Sequence, residues 1–298
     1  MTAVIFGVPG NEALVEALCL HAGVERGECV FRAFADGETY VRFLSPVLHK
    51  TVVVACTLDR PDDKLVKLFL AARTLHDMGA ARVLLVAPYL PYMRQDTVFA
   101  QGEGISARHV ASLLSSCFDG LVTVDPHLHR IPLLEQVYPI PIRVVPAAPA
   151  IARWIRSEVL DPLLIGPDAE SEQWVSAIAT LVDCPYRMLT KHRYGDRDVT
   201  VEANALQVGA GHRAVLVDDI VATGRTQAAA IALLQRHGHP APVCICVHGL
   251  FAGDAWSVVT EAGARTIVSC NTVTHASNRI DVLQDVATAV SELLATAH

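Results

Sequence analysis

Two adjacent acids followed by a small-residue loop form the part of this sequence best suited to chemistry. They lie in the run AVLVDDIVATGRT, from Ala214 to Thr226. Asp218 and Asp219 follow the apolar strand AVLV, and at the carboxyl end of a parallel strand such acids can accept hydrogen bonds from vicinal hydroxyls. The loop then supplies backbone N–H groups at the start of a helix, where the helix dipole favours an anion. Together these features predict a site for a phosphorylated pentose.

The loop of this run contributes five residues to the predicted phosphate cradle. They are Ala222, Thr223, Gly224, Arg225 and Thr226. An ordinary strand-to-helix turn is the alternative interpretation, since any one of these residues is common in such turns. The complete order of strand, acids, loop and helix favours the phosphate site.

Four further clusters with polar residues lie next to predicted strands, the first before a strand and the other three after one. They are Phe34, Asp36 and Glu38 in FADGETYVRF; Arg94, Gln95 and Asp96 in PYLPYMRQD; Asp125, His127 and His129 in VTVDPHLHR; and Asp168 in LIGPDAESEQW. Each cluster alone is also typical of a turn, a solvated loop or a helix cap. Two histidines after a strand-end acid strengthen the functional interpretation of the third cluster.

The order of these clusters, with the Asp218 to Thr226 loop after them, resembles the ribose-phosphate pyrophosphokinase family over nearly the whole chain. The loop itself resembles the motif for 5-phosphoribosyl 1-pyrophosphate (PRPP) that this family shares with type I phosphoribosyltransferases. Simple phosphoribosyltransferases have a single such domain, which leaves FADGE and RQD unexplained. The resemblance implies transfer of the β,γ-diphosphoryl group of ATP to the anomeric hydroxyl of ribose 5-phosphate. The alternatives are a phosphoribosyltransferase that consumes PRPP and a catalytically silent, nucleotide-binding regulatory relative.

The resemblance also implies which residues bind the two substrates. For ATP they are Arg94, Gln95 and Asp96 of one chain, with Phe34, Asp36 and Glu38 of a neighbouring subunit. For the ribose hydroxyls they are Asp218 and Asp219, and for the 5-phosphate they are Thr223, Gly224 and Thr226 within the predicted cradle. Because one ATP site would draw on two chains, the resemblance implies a homo-oligomer that is at least a dimer.

Metal binding and catalysis are assigned by the same resemblance. His127 and Asp168 would help to place Mg²⁺. Lys191 and Arg193, in LTKHRYGDRD, match a Lys-x-Arg pattern on a flexible catalytic loop. Diphosphoryl transfer requires neutralisation of the charge that develops on phosphate oxygens, and positioned cations and Mg²⁺ provide it. A solvated charged hairpin is the alternative interpretation of this segment.

Several residues depart from the family pattern. Glu170 and Ser171 stand where the family usually has glycines, and no basic residue follows RQD in TVFAQGEG. Ala222 and Arg225 replace an often acidic and an often small residue of the cradle. These departures suggest a divergent branch of the family.

Strands and helical patterns alternate along the whole sequence, which predicts parallel βαβ units. The fold class is therefore α/β, with two tandem doubly wound parallel-sheet domains of the type I phosphoribosyltransferase kind. We expect an ATP-side domain over residues 1–143 and a second domain with the ribose 5-phosphate loop over residues 144–298. The last helix either closes the second domain or packs back on the first. The repeated order fits both an internal duplication and the general habit of α/β chains.

Composition narrows the classes of protein that remain. At 298 residues the length is typical of about two domains, and with 52% hydrophobic and 18% charged residues the chain can bury two cores. A net charge of −7 argues against a nucleic-acid partner. The eight cysteines lack a CxxC pair and are typical of buried residues in a reducing compartment. No apolar run is long enough to span a bilayer, so we expect a cytoplasmic protein without a membrane partner.

Overall fold

A computed structural model describes residues 3–168, 171–189, 192–194, 198–200 and 211–296. The chain divides into two compact units. Unit 1 comprises Met1–Val145 and Leu283–His298, and unit 2 comprises Pro146–Val282. The division follows the last strand of the first sheet, two residues after the boundary expected at residue 143.

The elements within the described residues alternate between strands and helices. In chain order they are β1 (Ala3–Gly7), α1 (Glu12–Ala22), β2 (Glu25–Arg26), β3 (Cys29–Ala33), β4 (Thr39–Phe43), β5 (Thr51–Ala55), α2 (Asp62–Asp77), β6 (Arg82–Val86), α3 (Ser106–Ser115), β7 (Gly120–Val124), a 3₁₀ turn (Leu134–Gln136), β8 (Ile142–Val145), α4 (Ala148–Glu158), β9 (Pro162–Gly166), α5 (Glu172–Val182), β10 (Tyr186–Met188), β11 (His192–Tyr194), β12 (Asp198–Thr200), β13 (Arg213–Val221), α6 (Arg225–Arg236), β14 (Val243–Gly249), α7 (Ala255–Glu261), β15 (Thr266–Cys270), β16 (Asn278–Ile280) and α8 (Leu283–Ala295).

Unit 1 is built on a parallel sheet with the strand order β2-β1-β5-β6-β7-β8. Its central strands are continuous apolar runs, such as TVVVA in β5, because a parallel sheet is covered on both faces. Strands β3 and β4 form a separate antiparallel hairpin. The doubly wound parallel architecture predicted from the sequence is therefore confirmed in this unit.

The terminal helix α8 belongs to unit 1. Its buried side chains pack toward α1 and β8, and the guanidinium of Arg82 donates hydrogen bonds to the backbone oxygens of Thr296 (3.1 Å) and Leu293 (3.4 Å). A cation at the carboxyl end of a helix binds its unpaired carbonyl groups and complements its dipole. Of the two expectations for this helix, the structure has the one in which it packs back on the first unit.

Unit 2 repeats this order of elements. Its parallel sheet has the order β10-β9-β13-β14-β15-β16, and β11 and β12 form an antiparallel pair. In both units the first strand is followed by a helix, an edge strand, a two-stranded hairpin and then the second central strand. General α/β alternation does not require an edge strand and a hairpin at the same place, so this match favours an internal duplication.

Each unit has a core of its own. In unit 1, residues such as Phe6, Leu75 and Leu121 pack from the sheet and the helices that cover it. In unit 2, Ile165, Leu216 and Ile231 belong to the corresponding cluster. All eight cysteines are free thiols, and five of them are buried. Among the described residues, no helix combines the length and the hydropathy needed to cross a lipid bilayer.

Candidate active site

The acids of the central run lie inside strand β13 rather than after it. The strand predicted to end at Val217 continues to Val221, because β14 pairs with it as far as Val221↔Gly249. Strand β9, on the other side, pairs only as far as Leu216↔Ile165. Asp218 and Asp219 are therefore held by a neighbouring strand on one side and lie beyond the end of β9 on the other.

The two carboxylates make local hydrogen bonds that fix their positions. Asp218 Oδ1 accepts the backbone N–H of Asp219 (3.1 Å), and Asp219 Oδ1 accepts the backbone N–H of Ile220 (2.7 Å). Asp218 Oδ2 accepts the side-chain amide of Gln227 (2.6 Å). The Asp219 side chain is buried. The pair thus presents oriented acceptors at the carboxyl edge of the sheet.

Negative charge is concentrated around Asp218. Burial raises its pKa well above the ordinary value, and the charges of Asp219 and Asp168 raise it further. The hydrogen bonds from the Asp219 N–H and from Gln227 act in the opposite direction. The carboxylates of Asp219 and Asp168 therefore lie close enough to Asp218 to repel its negative charge, and a bound cation would offset that repulsion.

Helix α6 begins at the other end of the loop, and its start is built to leave backbone donors available. Gly224 occupies the N-cap position with φ +71°, and the first turn contains no acid and no side-chain cap. A Cβ at Gly224 would lie 2.6 Å from Val259 Cγ2 and 2.8 Å from the backbone oxygen of Ala255, so only glycine fits. The uncapped N–H groups and the helix dipole together suit a phosphate.

The other residues of the predicted cradle differ in exposure. Arg225 and Thr223 are exposed, while Thr226 and Ala222 are partly buried. The backbone oxygen of Ala222 accepts the N–H of Ala252 (2.8 Å), which fixes the loop against the segment after β14. The first turn of α6 therefore carries an exposed cation, Arg225, next to the uncapped backbone N–H groups.

Asp168 lies in the turn between β9 and α5. Its backbone oxygen accepts the hydroxyl of Ser171 (2.7 Å) and the backbone N–H of the same residue (3.2 Å). Ser171 is buried, and its hydroxyl fixes the turn instead of capping the helix. Ser171, one of the departures from the family pattern, thus helps to hold the Asp168 turn; Glu170 lies outside the described residues.

In unit 1, Asp96 has a different setting from its two predicted partners. Its carboxylate is buried, and both oxygens are bound by Arg130, one by the backbone N–H (3.0 Å) and one by the guanidinium (3.0 Å). This pair joins the loop after β6 to the loop after β7, which carries His127. Gln95 accepts a hydrogen bond from the Ser106 hydroxyl at the start of α3, and Arg94 is exposed.

The loop after β7 carries the two predicted histidines. The rings of His127 and His129 pack edge to face, with their centroids 4.1 Å apart. Asp125, at the end of β7, has φ +29°, an unusual value for a residue other than glycine. His127 lies in unit 1, and Asp168, the other predicted magnesium residue, lies in unit 2.

The FADGE residues form the exposed turn between β3 and β4. Asp36 Oδ1 accepts the backbone N–H of Glu38 (3.2 Å), and Gly37 has φ +94°. The guanidinium of Arg32 lies over the rings of Phe34 (4.6 Å) and Tyr40 (4.1 Å). Asp36 therefore supports the turn, while Phe34, Asp36 and Glu38 are all exposed.

The predicted catalytic cations fall in the segment that follows β10. Lys191 lies outside the described residues, and Arg193 lies in strand β11, whose backbone pairs with β12. Among the described residues, no group of three or more His, Cys, Asp or Glu side chains is arranged to hold a metal ion. The oxygen-rich set of Asp168, Asp218 and Asp219 is nevertheless of the type that Mg²⁺ prefers.

Two residues with evident roles in the site were missing from the sequence prediction. Gln227 lies within a pattern that predicts an ordinary helix. The sequence nevertheless offers one sign of its role, because a polar residue here shares the buried face of the helix with apolar ones, Ala230, Ile231 and Leu234. Arg130 follows the histidine cluster directly, but its partner Asp96 is 34 residues away. Spacing in the sequence alone gives no indication of that pair.

Two family models and several relatives match the chain. Residues 3–117 match the N-terminal domain of ribose phosphate pyrophosphokinase, and residues 140–282 match the phosphoribosyl transferase domain. A ribose-phosphate pyrophosphokinase of Saccharolobus solfataricus is 31% identical over 95% of this chain and 99% of its own length. One of Methanopyrus kandleri is 33% identical, over 87% of this chain and 89% of its own.

A solved structure has the same fold. The crystal structure of phosphoribosylpyrophosphate synthetase from Mycobacterium smegmatis superposes with a TM-score of 0.84, at 24% identity and with 99% of each chain covered. The relatives at 30% identity or more cover most of their own length and of this chain. This chain therefore belongs to the ribose-phosphate pyrophosphokinase family of diphosphotransferases.

Proposed function

We propose that unit 2 binds ribose 5-phosphate as the acceptor and that the chain transfers the diphosphoryl group of ATP to its anomeric hydroxyl, giving PRPP and AMP. The observation that carries this proposal is the start of α6, where glycine at the N-cap leaves backbone donors uncapped beside two oriented carboxylates. A phosphate and a vicinal diol on one small molecule match these two features. A phosphorylated pentose has both.

The acceptor is held at its two ends. The backbone of Thr223, Gly224 and Thr226 binds the 5-phosphate, with the exposed cation of Arg225 beside it and Ala222 closing the loop. Asp218 and Asp219 accept hydrogen bonds from the ribose hydroxyls. Charged acceptors form the stronger class of hydrogen bond, worth about 1.5–3 kcal/mol each. Fixing both ends orients the anomeric hydroxyl for attack.

The donor nucleotide is assigned to residues of unit 1. Arg94 is exposed and available to phosphate oxygens, and Gln95 lies beside it. Asp96 completes this set, and Arg130 holds its carboxylate in place through both oxygens. Phe34, Asp36 and Glu38, at the exposed turn of the hairpin, complete the ATP site of a neighbouring subunit, so the active protein is a homo-oligomer.

Magnesium is the divalent ion that we propose for this site. We assign His127 in unit 1 and Asp168 in unit 2 to metal binding, and the acidic surroundings of Asp218 fit a hard cation bound by oxygen ligands. Such an ion would neutralise charge on the bridging and terminal phosphate oxygens of ATP. Lys191 and Arg193 add cations from the segment after β10.

One assay tests the proposed function against its alternatives. Purified protein is incubated with MgCl₂, ATP and ribose 5-phosphate, with and without inorganic phosphate, and AMP and PRPP are measured. We expect equal amounts of AMP and PRPP. Consumption of PRPP with a purine or pyrimidine base, without synthesis from ATP, would instead identify a phosphoribosyltransferase. ATP binding without any turnover would identify a silent relative.

A further inference from the structure

Gln227 occupies an unusual place for a polar side chain. It lies in the first turn of α6, it is only 4% exposed, and it shares the buried stripe of the helix with Ala230, Ile231 and Leu234. Burial of an amide in such a stripe is unfavourable unless the amide is hydrogen-bonded. Its partner should therefore explain why an amide is found here.

That partner is Asp218, nine residues earlier in the chain. Gln227 Nε2 donates to Asp218 Oδ2 over 2.6 Å. The amide nitrogen of Gln227 is the donor, and the carboxylate oxygen of Asp218 is the acceptor. The other carboxylate oxygen, Oδ1, accepts the backbone N–H of Asp219.

Two donors on two different elements thus fix one carboxylate. The χ2 torsion of aspartate has broad energy minima, so a single donor leaves the plane of the carboxylate poorly defined. A second donor, from helix α6, defines that plane. Each carboxylate oxygen has two acceptor positions, so both oxygens retain capacity for a sugar hydroxyl.

We propose that Gln227 is a positioning residue for the acceptor site, which holds the Asp218 carboxylate in the orientation that binds a ribose hydroxyl. The proposal rests on the function proposed above, in which Asp218 binds the acceptor. Gln227 also lies in the first turn of the helix whose N-terminus is proposed to bind the 5-phosphate, so one residue couples the two ends of the acceptor site.

The test compares two variants on the same helix. Gln227→Met keeps the length of the side chain and removes the hydrogen bond. Gln235→Met is the matched control, because Gln235 lies at the exposed far end of α6. Its amide donates to the Ala262 backbone oxygen (3.1 Å). Steady-state kinetics are measured with ATP and with ribose 5-phosphate, and thermal unfolding is measured for each protein.

We expect Gln227→Met to raise KM for ribose 5-phosphate about tenfold, the loss typical of a hydrogen bond that involves a charged group. KM for ATP should change less than twofold. Ribose 5-phosphate is also compared with its 2-deoxy and 3-deoxy analogues. The wild type should discriminate more strongly against one of these analogues. Its preference for ribose 5-phosphate over that analogue should be smaller in Gln227→Met, because the misoriented Asp218 carboxylate no longer gains from the ribose hydroxyl that the analogue lacks. Gln235→Met should match the wild type throughout.

Two results would overturn the inference. One is an unchanged KM and an unchanged analogue preference in a folded Gln227→Met variant. The other is an equal loss for both substrates in both variants, which indicates a general effect on α6. If the wild type makes no PRPP, the proposed function fails separately. The inference is then decided by calorimetric binding of ribose 5-phosphate to the same three proteins, with the same tenfold expectation.

Discussion

The strand-to-helix loops that follow β5 in unit 1 and β13 in unit 2 hold equivalent places in the repeated topology, yet they use their backbone donors differently. In unit 1, the backbone N–H of Thr57 is bound by the Asn11 side chain (2.7 Å), and Lys64 binds both the Thr57 oxygen (2.8 Å) and the Asp59 carboxylate. Helix α2 then begins with two acids, Asp62 and Asp63. In unit 2, helix α6 begins with Gly224 and no acid.

The first loops of the two units differ less, because the helix after each of them has an acid in its first turn, Glu12 in α1 and Glu172 in α5. In unit 1, the Glu12 carboxylate accepts the backbone N–H of Gly10 (2.9 Å), which places an internal anion at the start of α1. In unit 2, the corresponding turn carries Asp168, held through its backbone oxygen by Ser171. The comparison teaches that the fold supplies equivalent helix starts, whereas the residues of the first turn decide which one accepts a phosphate from solution.

The cation before the hairpin of unit 2 provides the sharpest test of this comparison. We expect Lys191→Ala, before β11 in unit 2, to lower kcat by about 100-fold or more, because a cation that acts in the transition state is lost. Arg187→Ala is the control, since Arg187 is an exposed cation that binds the neighbouring Tyr186 oxygen (2.8 Å). The measurement is PRPP formation at saturating substrates, with unfolding curves for both variants. Turnover near that of the wild type in Lys191→Ala would remove this cation from the mechanism.

Two glycines with positive φ offer a second comparison between the units. Gly37→Ala, in the hairpin of unit 1, meets nothing within 4 Å and should cost only backbone strain, about 1–2 kcal/mol. Gly224→Ala adds a clash with Val259 and the Ala255 backbone, and we expect a total of about 2–4 kcal/mol. Denaturant unfolding measures both values, and calorimetry should show weaker ribose 5-phosphate binding in Gly224→Ala alone. Equal costs for the two variants would mean that the start of α6 is not tightly packed.

The smallest expected effect concerns the internal anion of unit 1. The Gly10 N–H and the Glu12 N–H lower the pKa of Glu12 below its ordinary value of 4.5. Its contribution to stability is therefore present above pH 4.5 and is lost as the pH falls through the lowered pKa. We expect Glu12→Gln to have a slightly lower Tm than the wild type at pH 7, and the gap to close in acid. A gap of equal size at pH 7 and pH 3 would contradict this role for the carboxylate.

Local chemistry explains why much of the fold and the phosphate loop could be predicted. The apolar parallel strands and the run from Asp218 to Thr226 are contiguous in sequence, so the strand, acids and glycine are visible together. The end of β13 was misjudged at Val217, because its last four residues are kept in the strand by pairing with β14. Such pairing depends on a partner strand and leaves no mark in the run itself.

Tertiary partners account for what the sequence did not reveal. Nothing in the sequence indicates that Arg130 holds the Asp96 carboxylate, because the two residues are 34 positions apart. Gln227 resembles an ordinary helix residue in the sequence, because its role depends on a hydrogen bond to the Asp218 side chain across the loop. In each case the role depends on a contact between elements, whereas the glycine at position 224 is required by backbone geometry that the local motif already encodes.

The central claim is that only the second of the two equivalent loops binds the acceptor, and calorimetric titration with ribose 5-phosphate tests it most directly. The wild type, Asp219→Asn and Asp59→Asn are compared, so that one acid is removed from the strand-loop-helix segment of each unit. We predict one site per chain, weakened at least about tenfold in Asp219→Asn because a charged acceptor is lost, and unchanged in Asp59→Asn. Two sites per chain would contradict the account. So would weaker binding in Asp59→Asn together with wild-type affinity in Asp219→Asn.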